Sequence, residues 1–159
     1  MPVDPQHTTY FRHARFSTRL PNAYRYAPSH YWIAEIEPAV FRVGMTRFAT
    51  RMLGDFVELN FDVEPNESIH VGQPIGSVEG FKAVADVYSA IGGDFLGGNP
   101  QLLEEPELVD RDPYAAGWLY LVRGNAKSDL LDVAGYVGLL TATIDRMLEQ
   151  QKSQEKKQC

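Results

Sequence analysis

Cysteine is almost absent from this chain of 159 residues. The single cysteine is the last residue, Cys159. No disulfide can form within the chain, and no zinc site can be built from its thiols. This composition is typical of a reducing compartment, so we expect a cytoplasmic protein in which Cys159 is an incidental free thiol.

Long apolar runs are missing as well. No stretch approaches the roughly 20 apolar residues that a membrane-spanning helix needs. The first residues, Met1–Asp4, do not have the charged-then-apolar layout of a secretory signal. The apolar fraction of 44% and the charged fraction of 23% are ordinary for a globular protein. We therefore expect one domain that does not enter a membrane.

Positive charge is scarce in most of the chain. The formal net charge is −6, but residues 1–26 carry a local +3 and the remainder carries −9. An acidic body is repelled by phosphate backbones and anionic lipid, so we expect no binding to nucleic acid or membranes. Such a body is suited to basic rims around partner active sites, and the basic segment could fold onto the body or contact a different partner.

Recognisable catalytic and metal-binding patterns are also lacking. The four histidines are scattered and form no i,i+4 pair of the kind that holds zinc, so we expect no metal site. No Gly-x-Ser-x-Gly motif is present. The acidic stretch from Glu104 to Asp112 is typical of a solvated face. The sequence therefore favours a protein without catalytic residues of its own.

Three regions differ in composition. Residues 1–26 hold five aromatic residues without a clear period, and we expect a basic, aromatic-rich arm that packs on the domain. Residues 27–148 carry the strand and helix patterns of the domain itself. Residues 149–159 have no apolar face, and we expect a disordered tail.

The domain is predicted to be mainly β, with short antiparallel strands, short helices and a C-terminal amphipathic helix. Thr46 can cap a helix that Gly54 ends, and apolar residues recur at helical spacing from Val133 to Leu148. No ten-residue helical pattern separates the strands of the middle segment, which favours an antiparallel sandwich or flattened barrel. The predicted strands are 31–36, 39–43, 57–61, 73–79, 83–88, 91–96 and 118–122.

Lys82 is the only cation between Gly72 and Gly93, and it lies between two predicted strands. A hairpin turn there would place it at an exposed tip, with Gly80 easing the bend. On spacing alone, a lysine that merely keeps a turn soluble is the better explanation, because lysines are common on turns. A protruding lysine is also what a carrier protein needs for an acyl cofactor joined to its amine.

The residues around Lys82 resemble the lipoylation site of the glycine cleavage H-protein family. Val78–Ser89 is similar to the family's Val-Glu-Ser-x-Lys-Ala and the Ser-Asp-x-Tyr-Ser that follows it. Further family motifs occur in the right order at Val43–Thr46, Leu53–Asp55, Asp112–Tyr114 and Gly117–Leu119. A biotin carrier would have Met-Lys-Met, whereas Phe81 and Ala83 flank Lys82 here.

The resemblance implies a lipoyl carrier with lipoate in amide linkage to Lys82. It implies a flattened barrel-sandwich hybrid of the lipoyl- and biotinyl-carrier type with the lysine on a hairpin tip, and a subunit that is not itself an enzyme. A lipoate-attaching enzyme is then a partner. The residues expected to make the hairpin recognisable are Glu79, Gly80, Phe81, Ala83 and Asp86.

Departures from the family pattern bear on the pathway. Ser29–Trp32 replaces the usual His-Glu-Trp, Gly80-Phe81 replaces Ser-x, and Ala85 stands where serine is usual. These differences resemble the lipoate-binding proteins of bacterial sulfur oxidation, whose partner is a heterodisulfide-reductase-like complex. We favour that subtype. The alternative is a glycine cleavage H-protein that carries the aminomethyl intermediate among the glycine cleavage enzymes, including a dihydrolipoamide dehydrogenase. The contrasting class is an unmodified binding module.

Overall fold

The computed structural model describes residues 7–125 and 129–158 of the chain. Short strands account for most of its regular structure. The strands are β1 (Thr8–His13), β2 (Phe16–Pro21), β3 (Arg25–Tyr26), β4 (Tyr31–Glu37), β5 (Val40–Met45), β6 (Phe56–Phe61), β7 (Ser68–Ile69), β8 (Pro74–Gly80), β9 (Val84–Tyr88), β10 (Gly92–Gly98) and β11 (Tyr120–Asn125). The helices are α1 (Arg47–Leu53), α2 (Gln101–Glu104), α3 (Leu108–Arg111) and α4 (Val133–Gln158).

The strands form three antiparallel sheets. A six-stranded sheet has the order β3-β4-β5-β11-β10-β7, a three-stranded sheet has the order β6-β8-β9, and β1 pairs with β2. The main core lies between the two larger sheets, since Val43 and Val122 from one share it with Ile75, Val78 and Val87 from the other. The mainly β, antiparallel prediction is confirmed as a flattened sandwich. No sheet of the described residues closes into a barrel.

The helix predicted between Thr46 and Gly54 is α1, and it begins and ends where these capping residues indicate. The Thr46 hydroxyl accepts a hydrogen bond from the Ala49 amide, at 3.4 Å, and satisfies one of the free amides of the first turn. Gly54 ends the helix with a φ of 82°, a backbone conformation that glycine adopts without strain. Short connections place this helix between β5 and β6, next to the edge of the three-stranded sheet.

Of the predicted arm, residues 1–6 lie outside the described residues, and residues 7–26 form regular strands. They form the β1–β2 hairpin, and β3 joins the six-stranded sheet beside β4. The inward side chains of this segment build a second core with Trp32, which is fully buried. The residues that supply that core from the arm are Phe11, Leu20 and Tyr26. The aromatic residues other than Tyr10 therefore pack as expected, but from a segment of regular strands, whereas Tyr10 is exposed.

The C-terminal helix is longer than predicted. Its buried face, Tyr136, Leu140 and Ile144, packs into the second core together with residues of the arm. The helix also continues to Gln158, so the expectation of a disordered tail from residue 149 was wrong. Residues 149–155 are exposed, and this extension makes no part of the core. No described helix is both long and apolar enough to span a membrane.

Candidate functional site

Lys82 lies in the tight turn that joins β8 to β9. The Gly80 amide donates a hydrogen bond to the Ala83 carbonyl, at 2.9 Å, which closes the turn around Phe81 and Lys82. Both of these side chains are exposed, and Phe81 retains 80% of its accessible surface. The structure therefore places Lys82 at a protruding hairpin tip.

Two further hydrogen bonds fix the backbone of this turn to the last residue of α1 and to the segment that follows it. The Lys82 amide donates to the Leu53 carbonyl at 3.0 Å, and the Phe81 amide donates to the Asp55 carbonyl at 3.0 Å. Leu53 is the last residue of α1, where carbonyls lack partners within the helix. The turn thus satisfies a free helix carbonyl, and the helix holds the lysine backbone in place while leaving the side chain in solvent.

This close approach depends on glycine at two positions. A Cβ on Gly54 would lie 2.8 Å from the Lys82 Cγ and 2.9 Å from the Lys82 backbone nitrogen. A Cβ on Gly80 would lie 2.4 Å from the Leu53 carbonyl oxygen. Such distances are far inside van der Waals contact. Packing against the end of α1 therefore requires glycine at position 80 in this chain.

A polar cavity of about 540 Å³ opens beside the turn. Its lining combines arginines, hydroxyl groups and carboxylates, and the turn itself forms one wall. The lining residues are Ser17, Arg47, Thr50, Arg51, Gly54, Asp55, Phe81, Lys82 and Asp110. The Asp110 carboxylate accepts a hydrogen bond from the Phe56 amide at 2.9 Å. Within residues 7–125 and 129–155, neither arginine of this cavity forms an ion pair with a carboxylate.

The other residues expected to mark the hairpin lie on two sides of it. Glu79 and Asp86 are exposed on the outer face of the three-stranded sheet, and Glu79 pairs in register with Glu58 of β6. Ala83 is exposed at the turn, whereas Gly80 is buried against α1. The structure therefore brings the acidic residues together on the sheet face and the glycine beneath the lysine.

The Lys82 amine is accessible for covalent attachment. In the described part of the chain, no side chain forms a hydrogen bond or ion pair with the Lys82 amine. His30 contacts Tyr136 inside the second core, and His13 pairs with Asp145 on α4. No group of three potential ligands among the described residues could hold a metal ion.

Sequence reasoning missed the residues that surround Lys82 in space. Arg47, Thr50 and Arg51 come from α1, and Ser17 comes from the arm. The one available signal was the Leu53–Asp55 motif, which was noticed as a family feature but not placed beside the lysine. The contact is tertiary, so spacing along the chain does not show it.

Comparison with known proteins identifies the family of this fold and site. A family model described as glycine cleavage H-protein matches residues 24–140. The chain belongs to the glycine cleavage H-protein family. Relatives include the glycine cleavage system H proteins of Rubrobacter xylanophilus, 41% identical over 74% of this chain and 91% of that protein, and of Pseudoalteromonas atlantica, 37% identical over 75% and 94%.

A solved structure agrees with this assignment. The crystal structure of a glycine cleavage system H protein from Mycobacterium marinum superimposes with a TM-score of 0.67 at 33% identity, over 75% of this chain and 97% of that one. Proteins of this family are lipoyl carriers, with lipoate covalently attached to a lysine, and act as non-catalytic subunits with partner enzymes. The chain is accordingly a lipoyl carrier. The β1–β2 hairpin precedes the matched residues.

Proposed function

We propose that Lys82 carries the lipoyl group and that this protein is the aminomethyl carrier of a glycine cleavage system. The single observation that carries the proposal is the geometry of the turn. Its backbone is fixed by two hydrogen bonds, one to Leu53 at the end of α1 and one to Asp55 just after it, while the lysine side chain projects into solvent. The names of the relatives support this subtype over the sulfur-oxidation hypothesis that the sequence departures favoured.

Attachment uses the Lys82 amine as a nucleophile. Its Nζ forms an amide with the lipoyl carboxyl carbon, which the attaching enzyme supplies in activated form, and the activating group leaves. The amine loses its charge in this step. Once attached, the dithiolane supplies reversible thiol–disulfide chemistry. Lys82 itself anchors the group and performs no acid–base step.

The fixed turn serves this attachment in two ways. Because α1 holds the backbone of the turn, the hairpin is already ordered before an attaching enzyme binds it. Binding therefore costs little conformational entropy. Because the tether is covalent, its bound group stays at high effective concentration for each partner. We assign recognition of the hairpin to Glu79, Phe81 and Asp86, which are exposed around Lys82.

Carriage of sulfur intermediates is the second candidate, with a heterodisulfide-reductase-like complex as partner. One observation favours it. Arg47 and Arg51 face the cavity beside Lys82 without carboxylate partners among the described residues, and such guanidinium groups stabilise anionic sulfur oxides better than an ammonium group. The comparisons provide no support for this candidate.

Loading of the lipoyl group on Lys82 decides between the two candidate functions. The chain is coexpressed with a lipoate-attaching enzyme and incubated with glycine and the glycine decarboxylase of the same organism. We expect the peptide that holds Lys82 to gain the aminomethyl mass. An arm that stays unloaded, in a protein that copurifies with heterodisulfide-reductase-like subunits, would contradict the proposal.

Two lysine variants are the matched controls for this experiment. Lys82→Arg keeps the charge and removes the attachment site, so we expect neither lipoylation nor loading. Lys152→Arg makes the same change on α4, outside the β8–β9 hairpin, and we expect wild-type behaviour. The location of the protein in the cytoplasm stays a prediction from its single cysteine.

A further inference from the structure

The outer face of the β1–β2 hairpin is basic. Arg12 pairs in register with Ser17, and Tyr10 pairs with Arg19. Residues directly opposite in an antiparallel pair point to the same side of the sheet. The alternate residue Phe11 is buried in the second core, so Arg12 and Arg19 point away from it. The Arg19 guanidinium lies 5.2 Å from the ring centre of Tyr10 on this same side.

Ser17 connects this face to the lysine site. It lines the cavity beside Lys82, together with Arg47 and Arg51 of α1. Since Arg12 is the cross-strand neighbour of Ser17, the arginines of the hairpin continue into those of the cavity. We call the surface formed by Arg12, Arg19, Arg47 and Arg51 the basic face.

The charges of the basic face are not neutralised within the described chain. None of its four arginines forms an ion pair with a carboxylate there. The carboxylates at its cavity end are Asp55 and Asp110, and Asp110 already accepts a hydrogen bond from the Phe56 amide. Lipoylation removes the charge of Lys82 but leaves the four guanidinium groups. A positive surface thus persists beside the lipoyl group on a chain whose net charge is −6.

We propose that the basic face docks the acidic rim of an enzyme that acts on the lipoyl group attached to Lys82. This inference rests on the proposed function, because it takes Lys82 as the anchor. An enzyme whose active site receives the lipoyl group must approach the surface around Lys82. Arg47 and Arg51 line the cavity there, and Arg12 and Arg19 extend the positive surface along the β1–β2 hairpin. Arginines without ion pairs favour carboxylates opposite them. The sequence led us to expect an acidic body docking to basic rims, and the structure places the opposite sign beside Lys82.

Glycine decarboxylase is the partner chosen for the test. The net charge of −6 repels nucleic acid and anionic lipid at long range, whereas a folded enzyme with a local acidic rim needs only the basic face. Because the hairpin precedes the residues that match the family, its arginines would add steering that the family domain alone does not contain.

Charge reversal on the β1–β2 hairpin tests the proposal directly. Full-length Arg12→Glu/Arg19→Glu is compared with wild type for association with immobilised glycine decarboxylase of the same organism, at low and high salt. We expect the association rate constant at low salt to fall about tenfold. We also expect the wild-type rate constant to fall as salt is added, and that of the variant to depend less on salt.

The matched control is Arg25→Glu/Arg123→Glu, which changes the net charge equally at exposed arginines of β3 and β11. We expect its association rate constant to stay within about twofold of wild type, because reversal outside the basic face does not alter steering toward the arm. Thermal unfolding checks that both variants fold. If the glutamate pair does not fold, Arg12→Gln/Arg19→Gln replaces it, with a smaller loss expected.

Several results would overturn the proposal. Equal losses in the two double variants, or a wild-type rate constant that rises with salt, would show that the basic face does not steer the enzyme. Wild-type binding to duplex DNA or phosphatidylserine vesicles that Arg12→Glu/Arg19→Glu abolishes would assign the face to another class of partner. Peptide mass spectrometry of the same samples separates the docking proposal from the proposed function. An unmodified Lys82 contradicts the proposed function. A lipoylated chain that gives equal losses in the two double variants contradicts only the docking.

Discussion

Gly54 is the residue at which α1 and the lysine turn come closest together. Its φ of 82° and its contact with Lys82 both exclude a side chain. We expect Gly54→Ala to lower the free energy of unfolding by about 1–3 kcal/mol and to reduce lipoylation, because the turn must move. Chemical denaturation and intact mass measure the two effects.

Gly138 provides the control for that substitution. It lies inside α4, and a Cβ there would meet no atom within 4 Å. We expect Gly138→Ala to raise the free energy of unfolding by about 0.5–1 kcal/mol, with lipoylation unchanged. If Gly54→Ala were as stable and as fully lipoylated as this control, the contact between α1 and the turn would not matter.

His30 is a half-buried group with a pH-dependent role in stability. Burial lowers its pKa, and its Nδ1 lies 2.8 Å from the Tyr136 hydroxyl. As pH falls below the value of about 6.5 for an unfolded histidine, the unfolded state binds the proton first. We therefore expect the free energy of unfolding to decline from pH 7 to pH 5, and His30→Asn to reduce that decline in urea titrations.

A comparison at pH 8 separates this titration from simple loss of packing. His30 is neutral there in both states, so any difference between the two proteins at pH 8 reflects contacts alone. An identical decline from pH 7 to pH 5 in wild type and His30→Asn would contradict the role of His30.

At the scale of elements, the β1–β2 hairpin is an integral part of the fold. Leu20 of β2 is fully buried in the second core with Trp32 and Tyr136. We expect Leu20→Ala to lower the free energy of unfolding by about 2–5 kcal/mol, through lost burial and the cavity left behind. Leu103→Ala is the matched control, since Leu103 is 88% exposed and we expect a change within about 0.5 kcal/mol. Equal effects of the two changes would mean that the hairpin is not packed.

The elements that were predictable carry strong local signals. Thr46 and Gly54 marked both ends of α1, and turn residues separated β8 from β9. The β1–β2 hairpin was missed because aromatic residues occupy both of its faces. Tyr10 points outward and Phe11 inward, so the period of two that marks a half-buried strand is hidden.

The extension of α4 was missed for a different reason. Residues 149–158 lack an apolar face, which normally indicates disorder. Glutamine, lysine and glutamate nevertheless favour helix, and this segment continues a helix that Tyr136, Leu140 and Ile144 already fix to the core. Growth of an existing helix avoids the cost of nucleation, so propensity is sufficient here.

At the scale of the whole molecule, Lys82 lies between surfaces of opposite charge. The outer face of the three-stranded sheet carries Glu79 and Asp86, and the basic face begins on the other side of the turn at Arg47 and Arg51. Composition alone gave the charges of the arm and body but not their positions. The family resemblance located Lys82, whereas the fold was needed to show that the N-terminal arm lies beside it.

The central claim is that Lys82 is the lipoylated residue. Peptide mapping by mass spectrometry of the full-length protein purified from its native host tests this claim most directly. We expect one lipoyl group, in amide linkage, on the peptide that holds Lys82, and its complete loss in Lys82→Arg. An unmodified Lys82, or a lipoyl group on a different lysine, would contradict it.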